Sequence, residues 1–125
     1  RKNIDFIRLI TPTTKKLRLK KILSNASGFI YYVSVTGITG QNSAKIKNLK
    51  TSIKSIKNET NLPVLVGFGI KNISQARTIS NFSDGIIIGS AIVSIIEKYF
   101  FGKFTKNKLI KNISSFVNSF SKVIN

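Results

Sequence analysis

No cysteine occurs in this sequence, which excludes disulfides, thiolate nucleophiles and thiolate metal sites. No histidine occurs either, so the commonest general base is missing. Acidic residues number only four, Asp5, Glu59, Asp84 and Glu97, against 21 lysines and arginines. There is no apolar run long enough to span a bilayer and no signal-peptide pattern at the start. Methionine is absent and residue 1 is Arg, so the sequence reads as the C-terminal piece of a longer protein.

What remains is a globular composition: 125 residues, 42% hydrophobic, with a net charge of +17. That length buries a core, but a complete (β/α)₈ barrel takes about 250 residues. A strong positive charge is one mark of a nucleic-acid binder. Here the cations are mostly lysine, with arginine only at Arg1, Arg8, Arg18 and Arg77. Base-specific readers favour arginine for its bidentate contacts. Lys45, Lys47, Lys50, Lys54 and Lys57 fall on the polar face of one helical pattern. Together with abundant Ile and Asn, they read as the codon bias of an AT-rich genome. Nonspecific attraction to polyanions follows from the charge either way.

The pattern alternates strand and helix. Phe6–Ile10 is a short apolar strand, and Thr11-Pro12 a turn. Lys15–Asn25 is a helix with Leu19, Ile22, Leu23 and Ala26 on one stripe, closed near Gly28. Phe29–Val35 is a strand, and 37–43 a loop with two glycines. Lys45–Asn58 is a helix facing inward with Ile46, Leu49, Ile53 and Ile56. Val64–Gly69 is the third strand. Asn72 with Gln75 forms a capping-box pattern opening a helix to about Asn81. Ile86–Gly89 is the fourth strand, Ser90–Phe101 an apolar helix broken by Gly102. Phe104–Ile124 is the last helix, with Leu109, Ile113, Phe116, Val117, Phe120 and Ile124 on its buried face.

Four such repeats imply parallel βαβ units in one domain over residues 1–125. The strands are apolar on both faces, as in a sheet covered by helices outside and packed within. Four units are half a barrel.

Two glycine punctuations stand out: Gly67-Phe68-Gly69-Ile70 and Gly89-Ser90-Ala91-Ile92, each following an apolar strand. Glycine lets a ligand approach the main chain. The first N–H groups of a helix are unpaired and partly positive. Two such sites on adjacent strands suit one phosphate, as after the last two strands of many barrels. Gly67 and Gly69 read equally well as packing glycines. Ser90 also reads as a plain N-cap, and Tyr31 as a core aromatic.

Three blocks together resemble the tryptophan synthase alpha chain family. They are Phe29-Ile30-Tyr31-Tyr32-Val33-Ser34-Val35-Thr36-Gly37-Ile38-Thr39-Gly40, Leu62-Pro63-Val64-Leu65-Val66-Gly67-Phe68-Gly69-Ile70 and Asp84-Gly85-Ile86-Ile87-Ile88-Gly89-Ser90-Ala91-Ile92-Val93. Their order and spacing are similar to the family's C-terminal half, strands 5 to 8 of a (β/α)₈ TIM barrel, so strands 1 to 4 are absent. Leu9-Ile10-Thr11-Pro12-Thr13-Thr14 resembles the end of strand 5.

The resemblance implies a cytoplasmic lyase of tryptophan biosynthesis. That enzyme cleaves indole-3-glycerol phosphate to indole and glyceraldehyde 3-phosphate by a retro-aldol step. It has no cofactor and no metal; pyridoxal phosphate belongs to the beta subunit of an α₂β₂ complex. Neither a membrane nor a specific nucleic acid is a partner. The resemblance assigns the substrate phosphate to Gly40, Gly69, Gly89 and Ser90, and the indole pocket to Tyr31 and Phe68. It makes 36–44 a lid, in which Thr39 reaches a catalytic aspartate on closure. Val35 departs from the Arg that some members carry there. The family's catalytic Glu and Asp lie on strand 2 and its loop, so no catalytic residue is expected in this chain. Two other readings are an isomerase-type phosphate-binding barrel, which the Tyr31–Gly40 block disfavours, and a basic nucleic-acid module, for which no motif is present.

Overall fold

The computed structural model describes residues 4–34, 43–67, 69–70 and 72–124. It contains β1 (Arg8–Ile10), α1 (Lys16–Leu23), β2 (Ile30–Val33), α2 (Ser43–Lys57), β3 (Val64–Gly67), α3 (Ile73–Ser80), β4 (Gly85–Ile87), α4 (Ser90–Phe100) and α5 (Lys106–Ser121). The four strands form one sheet in the order β1-β2-β3-β4, every pair parallel. Sequential order with helices on one face is the winding of a βα barrel. A doubly wound sheet reverses its order and places helices on both faces.

The register sorts every strand residue to a face. Ile10, Tyr32, Val66 and Ile86 share one rung, and Leu9, Tyr31, Leu65 and Gly85 the next. The first rung, with Ile30 and Val64, packs under the helices. Ile10, Ile30, Tyr32, Val64 and Val66 are buried against Leu19 of α1, Leu49, Ile53 and Ile56 of α2, Ala76 and Ile79 of α3, and Phe120 of α5. Burying each such side chain contributes about 1.5–3 kcal/mol. The stripes read from the sequence on α1 and α2 are therefore the core.

Two expectations are corrected. The inner face of the sheet is not packed: Leu9 is 60% exposed, and Tyr31, Val33, Leu65 and Ile87 are half-buried. Four strands do not curl far enough to cover their own concave side. Val117 is 47% exposed although it lies on the apolar stripe of α5, because Phe116 and Phe120 take the core-facing positions and none of the described residues covers that flank.

Caps explain the helix limits. The Asn72 side chain accepts from the Gln75 N–H at 2.9 Å and opens α3. Thr105 does the same for the Lys108 N–H at 3.4 Å, which starts α5 after Phe104. Helix α1 ends at Leu23 with Ser24 as its cap, earlier than expected. Gly28 lies beyond that end, where its φ of +73° turns the chain into β2. No helix among the described residues is long and apolar enough to cross a membrane.

One acid secures the N-terminal end of the sheet. Asp84 Oδ2 accepts from the Val64 N–H at 2.8 Å, and Oδ1 from Lys57 Nζ at 2.5 Å. Burial pushes the Asp84 carboxyl up, but the hydrogen bonds from Lys57 and Val64, with the charge of Lys57, outweigh it and hold the pKa below the usual carboxylate range. A depressed pKa stabilises the fold above the unfolded value, and that contribution is lost as pH falls through the folded one. Asp84→Ala leaves the buried Val64 N–H without its partner. It is expected to cost about 1–2 kcal/mol in urea unfolding at neutral pH. The gap between variant and parent should narrow as pH falls through and below the ordinary carboxylate range.

Candidate functional site

Parallel strands bring the two glycine punctuations to one end. Gly67 pairs with Ile87, so Gly69 and Gly89 each lie two residues beyond the same rung. Both stand at the C-terminal mouth of the sheet, just past adjacent strands. In open and closed parallel sheets alike, ligands bind at this end.

The glycines there have different physical reasons. Gly67 is buried, and its backbone sits beneath the ring of Tyr31. A Cβ at Gly67 would lie 2.6 Å from Tyr31 Cζ and 2.7 Å from Cε1, and closer still to Oη. Tyr31 pairs with Leu65, so its side chain leans along the inner face by two residues to cover Gly67. Of the sequence's two readings of Gly67, packing is the one the geometry displays. Gly69 has a φ of +77°, a left-handed conformation that favours glycine. Gly89 needs neither explanation, for among the described residues a Cβ there would meet nothing within 4 Å. It caps α4 with open space above it.

Helix α4 aims its N-terminus at that space. The N–H groups of Ile92 and Val93 return to the Gly89 carbonyl, at 2.9 and 3.1 Å. Those of Ser90 and Ala91 come first in the helix and have no intrahelical acceptor. The Ser90 side chain is exposed and makes no hydrogen bond among the described residues. The mouth thus offers free backbone donors, a hydroxyl and a helix dipole, with no acid beside them.

The structure places the remaining site candidates as follows. Tyr31 faces the inner side of the sheet and Tyr32, 2% exposed, faces the helices. Gly40, Thr39 and Phe68 lie outside the described residues, as does most of the expected lid; its last residues, Ser43 and Ala44, open α2. A cleft of about 230 Å³ lined by Pro12, Tyr32, Ser34, Lys45, Asn48, Leu49 and Ser52 lies across the sheet from Tyr31, on the helix side. The sequence singled out neither this cleft nor Ser34, whose N–H donates to the Gly67 carbonyl at 3.0 Å and extends the β2–β3 ladder toward the mouth. Among the described residues no three His, Cys, Asp or Glu side chains gather as a metal site.

Comparison with known proteins agrees with this architecture. The family model described as tryptophan synthase alpha chain matches residues 1–124. The tryptophan synthase alpha subunit of Campylobacter jejuni is 38% identical, with a TM-score of 0.74 over 89% of this chain and 43% of its own. That of Legionella pneumophila is 32% identical, with a TM-score of 0.76 over 97% of this chain and 42% of its own. A tryptophan synthase from M. tuberculosis in an open form is 28% identical over 76% of this chain, with a TM-score of 0.63. The chain spans less than half the length of each of these three structures. On the match over nearly all its residues, together with the parallel βα winding and the paired glycine mouth, this chain belongs to the tryptophan synthase alpha chain family.

Proposed function

We propose that this chain forms the C-terminal half of an alpha-chain barrel, strands 5 to 8, and supplies the wall that holds the substrate phosphate and part of the indole. The supporting observation is the convergence of Gly69, Gly89 and Ser90 at one mouth, with open space over Gly89. The substrate in this reading is indole-3-glycerol phosphate, and the reaction of the whole protein is its retro-aldol cleavage. The phosphate accepts hydrogen bonds from the Gly69, Gly89 and Ser90 N–H groups and from the Ser90 hydroxyl, with the α4 dipole behind them. Gly40 joins from the segment after β2. Tyr31, leaning toward the mouth, forms one side of the indole pocket, and Phe68, next in sequence to Gly67, forms another. Thr39 belongs to the lid. Alpha chains need no cofactor; pyridoxal phosphate belongs to the beta subunit, the protein partner in this reading. The cytoplasm is the compartment where these partners meet.

A phosphate site made of backbone donors tolerates little added bulk or negative charge. Charge-assisted hydrogen bonds are worth about 1.5–3 kcal/mol each. Several of them, less the cost of ordering the lid, give roughly millimolar affinity for glycerol 3-phosphate. Gly89→Asp puts a carboxylate into the open space over the helix tip and is expected to weaken binding at least about tenfold. Ser90→Ala, which removes one hydroxyl donor, is expected to weaken it less. Titration followed by NMR at moderate ionic strength reads both, because salt removes the nonspecific attraction of a +17 chain. Unchanged affinity in Gly89→Asp would overturn the assignment.

A further inference from the structure

We propose that the cleft behind the sheet, between Tyr32 of β2 and helix α2, binds a small aromatic monocarboxylate. It is separate from the glycine mouth and from the indole wall, because Tyr32 faces the helices and Tyr31 the inner side of the sheet. Its walls come from two consecutive βα units, with Pro12 of the β1–α1 turn on one side and α2 on the other. Strands added beside β1 or β4 leave those walls as they are.

Two hydroxyls carry the inference. Tyr32 is 2% exposed, and a buried tyrosine hydroxyl ordinarily has a hydrogen-bond partner. This one has none among the described residues, yet it is not sealed off. The Tyr32 side chain lines the cleft of about 230 Å³ and a second one of about 220 Å³, which runs on toward Thr14 and Leu19. Ser52, half-buried on α2, lines both as well. Its hydroxyl also lacks a partner among the described residues. Hydroxyls nearby are already taken: those of Thr11 and Thr14 lie 3.3 Å apart, and that of Thr51 donates to the Lys47 carbonyl at 3.0 Å. The two free hydroxyls stand where the two cavities meet.

The lining sets the ligand class. Leu49, the Tyr32 ring and Pro12 make the cleft's apolar surface. An apolar cavity of about 150 Å³ holds a benzene ring. The cleft therefore admits a ring with one small substituent. That substituent accepts hydrogen bonds, since both free hydroxyls have a proton to donate. It is anionic, because the one ionic side chain lining the cleft is Lys45, exposed in the first turn of α2. A helix start favours negative charge too. No acid occurs between Asp5 and Glu59 to oppose it. A carboxylate on an aromatic ring meets each of these requirements.

Titration of the 125-residue chain with benzoate, followed by NMR at moderate ionic strength, tests the proposal. Saturable binding is expected at about millimolar Kd, with nuclear Overhauser contacts between the benzoate ring and the Leu49 methyl groups. Tyr32→Phe keeps the ring in the core and removes the hydroxyl, and should weaken binding about tenfold. Ser52→Ala repeats the test at a half-buried helix position, outside the core, and should weaken it about threefold. Benzamide, of the same shape without the charge, should bind more weakly, and acetate, with the charge and no ring, should not compete. Glycerol 3-phosphate should leave benzoate in place whether or not it binds at Gly89 and Ser90, so the two sites stand or fall separately. Absence of saturable binding overturns the proposal. So does affinity that Tyr32→Phe and Ser52→Ala leave unchanged, competition by acetate, or ring contacts to Tyr31 in place of Leu49.

Discussion

The 125-residue chain, incubated with indole-3-glycerol phosphate, is expected to release no indole above the uncatalysed background. The retro-aldol step needs one group to protonate the indole ring and another to take the hydroxyl proton as the carbon–carbon bond breaks. Positioned acids and bases of this kind contribute about 10² to 10⁴-fold each. With no histidine or cysteine, the candidates are the four carboxylates. Asp84 is bound to Val64 and Lys57 at the N-terminal end of β3, the opposite end from Gly69 and Gly89. Glu59 is exposed between α2 and β3, at that same far end. Asp5 precedes β1 beside Gly28, before the strands begin. Glu97 is exposed in the second turn of α4, beyond the tip that faces the mouth. None reaches a reacting atom held between Tyr31 and Ser90. An assay for indole with high chain concentration and long incubation decides the matter. Release well above background would mean that a group other than these carboxylates moves the protons. Activity that appears only when a polypeptide bearing the family's acidic strand is added would support the reading of this chain as a substrate-holding wall.

The alternation of strand and helix was legible because each strand is a short apolar run ended by glycine or proline and each helix carries a regular stripe. Ile46, Leu49, Ile53 and Ile56 of α2 lie against the sheet as their spacing requires. Strand limits overshot by a residue or two, since β-branched residues such as Ile88 continue past the last ladder bond. The inner face was misread. An apolar residue such as Leu9 looks the same whether a barrel closes over it or not, and closure depends on strands outside the four that are present. The glycines show the same limit more sharply. Gly67, Gly69 and Gly89 are one letter in three similar settings. One lies under an aromatic ring, one takes a positive φ and one borders open space. Only the neighbour across the sheet separates them, and local sequence does not contain that neighbour. Ser90 was easier to read, because a serine directly after a strand-ending glycine has few places to be other than a helix tip.

Gly67 and Tyr31 therefore form a pair whose coupling is measurable. Gly67→Val introduces a branched side chain where Tyr31 Cζ would lie within 2.6 Å of the first added carbon. The ring swings away from the mouth or the strand shifts, and overpacking of this kind costs about 1–3 kcal/mol. The cost falls at the upper end of that range when the inner face is covered, because the ring then has no space to enter. It falls at the lower end in the open sheet, where Tyr31 is only half-buried. Tyr31→Ala removes the obstacle and is expected to make the valine at position 67 nearly neutral, so the double variant recovers most of the loss. A double-mutant cycle by urea unfolding should give a coupling of about 1 kcal/mol or more between the two positions. Gly85→Ala is the internal control. Its new carbon would sit 3.2 Å from Leu65 Cγ, a contact a small adjustment relieves, and it should not couple to Tyr31. Additive losses in the Gly67–Tyr31 cycle would show that the ring does not rest on Gly67 and would remove the structural reason for placing Tyr31 at the mouth.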